Sequence, residues 1–111
     1  ANPSSMEEAI KSFSKFKGKK AIILGDMYEL GKESSKEHKN IIKLCEDTPD
    51  SKCIFIGEHF YIFSNTKNGS KFFKNKTDFY NSDLKIDENN ILIKGSRGMK
   101  MEEILKYIKQ W

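Results

Sequence analysis

The chain has 111 residues, 20 basic and 16 acidic, giving a formal net charge of +4, with 37% hydrophobic and 12% aromatic side chains. That is enough apolar surface for one packed core over residues 1–111 and too little for two, and it requires neither disulfides nor a structural metal. No apolar run approaches the roughly 20 residues that span a bilayer, and no basic-then-apolar signal pattern opens the chain, which disfavours membrane and secreted classes.

Asn2-Pro3-Ser4-Ser5-Met6-Glu7 reads as a helix start. Asn2 can cap, Pro3 suits the first turn, and Ser4 with Glu7 fits a capping box. Met6, Ala9, Ile10, Phe13 and Phe16 follow on one helical face, and Gly18 is expected to end the helix. The continuous apolar run Ala21-Ile22-Ile23-Leu24 predicts a strand covered on both faces. After the loop Gly25–Glu33, Ser34 with Glu37 opens a second helix by the same capping logic. Its buried stripe is His38, Ile41, Ile42 and Cys45, and Thr48-Pro49-Asp50 breaks it.

Cys53-Ile54-Phe55-Ile56 is a second apolar strand, ended by Gly57. A short helix near residues 59–63, a short strand at 71–73 and a helix around 77–84 are expected next. Ile91-Leu92-Ile93 forms a further strand, followed by the turn Lys94-Gly95-Ser96-Arg97-Gly98. The last helix aligns Met101, Ile104, Leu105 and Ile108, with Trp111 one turn further on. Strands alternating with helices predict an α/β fold: a small Rossmann-like three-layer domain with a mostly parallel sheet and helices on both faces. Cys45 and Cys53, the two cysteines, fall within apolar patterns and are expected as buried, reduced thiols in a cytoplasmic protein.

In parallel α/β sheets ligands bind outside the carboxyl ends of the strands, which selects the loops Gly25–Glu33 and Lys94–Lys100. Gly31-Lys32 in the first loop does not make a P-loop. Five residues instead of four separate Gly25 from Gly31, Glu33 follows the lysine, and Asp26, Glu29 and Glu33 repel phosphate. Asp26 has the chemistry to hold Mg²⁺ or a substrate ammonium, but a lone Asp in such a place normally forms an Asx-turn or caps its loop. His38, in the first turn of its helix, points back toward this loop as a ligand contact or a structural hydrogen-bonding group.

The second loop is the better binding candidate. Gly95 and Gly98 let the backbone approach a ligand, Ser96 adds a hydroxyl, and Arg97 supplies a fork for carboxylate or phosphate. The same residues also fit a plain strand-to-helix turn with a surface arginine. Arg97 is the one arginine beside 19 lysines. Base and phosphate recognition favour arginine, so the charge gives little support to nucleic-acid binding. Lys71-Phe72-Phe73-Lys74 is the one stretch that interleaves base and aromatic. The segment Ser64–Thr77 holds Lys67, Lys71, Lys74 and Lys76 and no acid, so it accounts for the whole +4. It is expected to be a solvated patch away from the two candidate loops. No nucleophile–base pair and no cluster of metal ligands is visible, so the residues describe a binder without a catalytic centre.

Three ordered motifs carry a resemblance: Asn2-Pro3-Ser4-Ser5-Met6; Leu24-Gly25-Asp26-Met27-Tyr28-Glu29-Leu30-Gly31 with Ser34 or Ser35 and His38; and Ile93-Lys94-Gly95-Ser96-Arg97-Gly98-Met99-Lys100-Met101-Glu102. The chain resembles the C-terminal domain of the MurF ligases, of the Mur ligase family, in peptidoglycan synthesis. The resemblance implies a cytoplasmic, three-domain, ATP- and Mg²⁺-dependent enzyme that joins D-alanyl-D-alanine to UDP-N-acetylmuramoyl-tripeptide. The P-loop, the Mg²⁺ sites and the catalytic groups would lie in the two other domains, leaving none here. This domain would close over ATP and position the dipeptide, and alone it would be inactive.

By the same resemblance Asn2 touches the nucleotide. Gly25, Asp26, Met27, Lys94, Ser96 and Arg97 face the dipeptide, His38 supports the site, and Arg97 or nearby N–H groups hold the dipeptide carboxylate. The chain would begin inside the family's Asn-Ala-Asn-Pro segment, with Ala1 a possible remnant. A monomer without nucleic-acid or membrane partners is implied. The competing expectation is a free-standing Rossmann-like module for a nucleotide or small acid.

Overall fold

Four short strands, Lys20–Gly25 (β1), Ser51–Ile56 (β2), Lys71–Phe73 (β3) and Asn90–Lys94 (β4), lie side by side in the order β3-β2-β1-β4 in the computed structural model. Residues 2–65 and 69–109 are described. All three strand pairs are parallel. Parallel neighbours cannot be joined by a hairpin, so the chain must cross over between them. It does so through Ser34–Glu46 (α2), Glu58–Tyr61 (α3) and Lys76–Asn81 (α4), with Pro3–Phe13 (α1) before the sheet and Glu102–Lys109 (α5) after it.

Alternation along the strands divides the core into two layers. Ile22, Leu24, Cys53 and Phe55 point toward Met6, Ile10 and Phe13 of α1, Ile41, Ile42 and Cys45 of α2, and Phe60 of α3. Ala21, Ile23, Ile54 and Ile56 point the other way, against Phe79 of α4 and Met101 and Ile104 at α5. β1 is buried at every residue, as its unbroken apolar run predicts. The architecture is therefore the expected three-layer one, and the sheet is entirely parallel among the described residues. Its strands finish nearly level: Gly25 pairs with Ile56 and Leu24 with Lys94. That gathers the following loops at one end.

Local details differ from the expectations in ways that have physical causes. The capping box of α1 is Asn2 with Ser5, not Ser4 with Glu7: Asn2 Oδ1 accepts from the Ser5 N–H at 2.9 Å, and Ser5 Oγ accepts from the Asn2 N–H at 3.3 Å. Glu7 pairs instead with Lys11, one turn on. The helix stops at Phe13, before Gly18, and Phe16 lies exposed against the Phe13 ring. Ser34 does not cap α2, which a 3₁₀ turn over Gly31–Glu33 leads into; its hydroxyl turns toward His38 and His59. The α2 stripe His38, Ile41, Ile42, Cys45 is buried as read. In the last helix Met101 and Ile104 are buried but Leu105 is exposed, and Trp111 lies outside the described residues. Strand β3 and helix α4, capped by Asn75 through the Asp78 N–H, fall close to their expected places.

Candidate functional site

Three loops meet at the carboxyl end of the sheet, and backbone amides tie them together. Gly25 and Gly95 end β1 and follow β4 in close approach. A Cβ on Gly95 would stand 2.8 Å from Met101 Cγ and 3.0 Å from Gly25 Cα. Beyond them the Ser96 N–H donates to the Asp26 carbonyl at 3.0 Å, and the Tyr28 N–H donates to Ser96 Oγ at 2.8 Å. The tyrosine hydroxyl then reaches Met99 Sδ. The first and last candidate loops are thus one laced unit.

Asp26 also fastens the loop after β2. Its two carboxylate oxygens accept from the His59 N–H at 2.9 Å and the Phe60 N–H at 3.1 Å, capping α3 from a distant point of the chain. Unsatisfied amides at a helix start attract a carboxylate in this way. The arrangement leaves no room at Gly57. With φ at +133°, a Cβ there would fall 2.2 Å from Asp26 Cγ. The 3%-exposed Asp26 therefore caps α3, where the sequence predicts a cap of its own loop, and both its oxygens are engaged.

His38 holds the same loop from below. Its Nδ1–H donates to the Ser34 carbonyl at 2.7 Å, which leaves Nε2 to accept from the Met27 N–H at 3.0 Å. The ring stands edge-on to Phe60 and stacks on His59 at 5.2 Å. Burial lowers its pKa from the ordinary histidine value, opposed by the Ser34 hydrogen bond and the nearby Asp26 charge. A neutral imidazole suits both hydrogen bonds. The Met27 side chain is fully enclosed in the α1–α2 layer of the core.

What remains open to solvent is a pair of hollows. One, about 340 Å³, is lined by Lys94, Gly95, Ser96 and Arg97 together with Leu105 of α5. The exposed Arg97 guanidinium makes no hydrogen bond or ion pair among the described residues. The other, about 380 Å³, lies between Tyr28, His59, Gly98 and the turn Lys74-Asn75-Lys76. The basic segment, expected from sequence to lie away from the candidate loops, is therefore beside them. β3 is the parallel neighbour of β2, so its carboxyl end opens onto the same face. Lys74 Nζ stands 5.3 Å over the Tyr61 ring, and Lys76 Nζ pairs with Glu103 and donates to the Lys100 carbonyl.

The structure thus brings together Gly25, Asp26, Met27, His38, Lys94, Ser96 and Arg97. Asn2 stays apart, engaged in its helix cap and lining neither hollow. Tyr28, Gly57, His59 and the Lys74–Lys76 turn were missed as site residues. Their signal was positional: each follows the end of a parallel strand. Among the described residues no group of three or more His, Cys, Asp or Glu side chains is disposed to hold a metal ion. No helix there is long and apolar enough to cross a membrane.

No family model matches the sequence. The chain is 34% identical over 110 residues to the UDP-N-acetylmuramoyl-tripeptide–D-alanyl-D-alanine ligase of Buchnera aphidicola, covering 96% of this chain and 24% of that protein. It superposes on MurF from Acinetobacter baumannii with a TM-score of 0.82 at 24% identity, over 100% of this chain and 26% of that one. MurF ligase from Thermotoga maritima, solved in complex with ADP, aligns with a TM-score of 0.69 at 20% identity, over 99% of this chain and 26% of that one. The chain spans about a quarter of the length of the curated relatives it matches.

Proposed function

The chain belongs to the MurF ligase family, and we propose that residues 1–111 serve as the C-terminal domain of a three-domain, ATP-dependent ligase. The whole enzyme joins D-alanyl-D-alanine to UDP-N-acetylmuramoyl-tripeptide in the cytoplasm, forming a peptide bond needed for the cell wall. The tripeptide carboxylate takes the γ-phosphoryl group of ATP. The dipeptide amine then attacks the acyl phosphate, and the tetrahedral intermediate releases phosphate. This domain closes over the nucleotide, with Asn2 at its edge, and presents the dipeptide to the reacting centre. It acts as a monomer, without nucleic-acid or membrane partners.

The observation that carries the reading is the exposed Arg97 guanidinium, unpaired among the described residues, next to Ser96 at the rim of loops locked by Asp26 and His38. A planar fork with no partner among the described residues matches a carboxylate, and a rigid rim keeps the cost of ordering it low. Lys94 adds positive charge to the same hollow. Gly25 and Gly95 let the ends of β1 and β4 approach each other and Met101 closely. Asp26 and Met27 shape the rim through their backbones, and His38 keeps it in place. No Mg²⁺ is assigned to this domain, because the carboxylate of Asp26 is engaged by two amides. The ion, the P-loop and the catalytic groups belong to the other domains of such an enzyme.

The test is a ligation assay with the full-length protein that carries this chain. ATP, UDP-N-acetylmuramoyl-tripeptide and D-alanyl-D-alanine should yield the pentapeptide product and phosphate. The 111-residue chain alone should yield neither. Failure of the full-length protein to ligate, or ATP hydrolysis by the chain alone, would overturn the proposal.

A further inference from the structure

Among the described residues four large apolar side chains are exposed: Phe16, Tyr28, Ile62 and Leu105. Phe16 lies against the Phe13 ring, and Tyr28 lies over Gly98 and reaches Met99. Leu105, 41% exposed, is the one that lines the hollow of Lys94, Ser96 and Arg97. That hollow therefore offers a ligand an apolar surface as well as a charged fork.

The helix that carries Leu105 is fixed to the strand ends. The Met101 side chain fills the space beside two glycines: a Cβ on Gly25 would fall 2.7 Å from Met101 Sδ, and one on Gly95 would fall 2.8 Å from Met101 Cγ. Met101 is 4% exposed, and its carbonyl accepts from the Ile104 N–H at 2.9 Å in the first turn of α5. The Lys100 carbonyl accepts from the Glu103 N–H at 3.1 Å and from Lys76 Nζ at 3.3 Å. Leu105 follows Met101 by one turn, on the same helical face and about 6 Å further along the axis. A buried anchor thus holds it at the hollow.

We propose that Leu105 limits the size of the second residue of the dipeptide. The inference rests on the reading above, in which Arg97 holds the dipeptide carboxylate. In that pose the carboxylate fixes the carbon to which it is bonded, and the side chain of the second residue branches from that same carbon. A methyl group there stays within the hollow, where Leu105 is the most exposed apolar side chain; Ile93 is half-buried and Met101 enclosed. At about 340 Å³ the hollow lies near the small end of the range for ligand pockets, about 300–1,000 Å³. A side chain longer by two methylenes meets the Leu105 isobutyl group. The first residue of the dipeptide lies further from the fork, beyond the reach of this limit.

The test is ligation by the full-length protein, comparing kcat/KM for D-alanyl-D-alanine, D-alanyl-D-norvaline and D-norvalyl-D-alanine. Leu105→Ala should shift the preference between the first two toward the norvaline dipeptide by about 10-fold or more, the usual scale for the fit of methylenes in an apolar pocket. The preference between the first and the third should stay as in wild type. Leu105→Met, which conserves volume, should keep both preferences. An exposed leucine can be replaced without loss of the fold, which a thermal melt checks.

An unchanged preference at the second residue overturns the inference. An equal loss for all three dipeptides does so too, and assigns Leu105 to a contact with the rest of the enzyme. Arg97→Ala tests the underlying reading separately, since it should raise the KM for D-alanyl-D-alanine and D-alanyl-D-norvaline alike. If it does so while Leu105→Ala leaves the preference unmoved, the size limit fails and the carboxylate role stands. If Arg97→Ala leaves both KM values unchanged, the carboxylate role fails, and the pose on which the size limit rests fails with it.

Discussion

Asp26→Ala should be the most damaging polar substitution at the strand ends. The carboxylate accepts from two amides, His59 at 2.9 Å and Phe60 at 3.1 Å, and is 3% exposed. A hydrogen bond to a charged group contributes about 1.5–3 kcal/mol. Water can replace the acceptor at the part-buried His59 amide, but not at the buried amide of Phe60. The net loss is therefore about 3 kcal/mol, more than a helix cap on the surface would give. At roughly 4 °C per kcal/mol for a domain of this size, the melting temperature should fall by about 12 °C. Asp26→Asn, which keeps one acceptor, should lose about half as much. Thermal unfolding by circular dichroism gives the shift, and amide hydrogen exchange locates it at His59 and Phe60. A melt within about 2 °C of wild type, with exchange unchanged at those two amides, would refute the tertiary-cap argument.

Gly57→Ala should destabilise the fold by more than about 4 kcal/mol, because its φ is +133° and the new Cβ meets the Asp26 carboxylate. Gly69→Ala, at φ +80° with open space around it, should cost only the backbone strain of about 1–2 kcal/mol; urea midpoints compare the two. The His38 pKa is lowered in the fold, so below about pH 6.5 the unfolded chain binds a proton that the folded chain still refuses. Stability should therefore fall as the pH drops below that value, by up to about 1.4 kcal/mol per unit. His38→Gln should flatten this slope in urea titrations between pH 5 and 8, whereas an unchanged slope would assign it to other groups.

Layering and the α2 core stripe were legible in sequence because they rest on periodicity, which tertiary context only reinforces. The run Ala21–Leu24 could be satisfied only by burial on both faces, and His38, Ile41, Ile42 and Cys45 lie one above another on a helix. Caps were less legible. Asn2 stands just before Pro3 and takes Ser5 as its reciprocal partner, while Glu7 finds Lys11 one turn on. Both boxes fit the sequence, and local geometry decides between them.

The parts of the site that were hidden depend on strand order. Lys74 and Lys76 read as a solvated charge run until β3 is known to pair in parallel with β2, which turns them toward the hollow. Gly57 read as a strand end. Its glycine is required by the carboxylate of Asp26, a contact that no local pattern reveals. The loops after β1 and β4 were legible as binding candidates because carboxyl ends of parallel strands collect ligands whatever their sequence.

The most direct test of the ligase reading is Arg97→Ala in the full-length protein, assayed for ligation over a range of D-alanyl-D-alanine concentrations. Loss of a charge-assisted fork worth about 1.5–3 kcal/mol should raise the KM for the dipeptide roughly 10- to 150-fold, leaving the KM for ATP near its wild-type value. An unchanged KM for D-alanyl-D-alanine would contradict the role given to Arg97 and, with it, the assignment of this rim to the dipeptide.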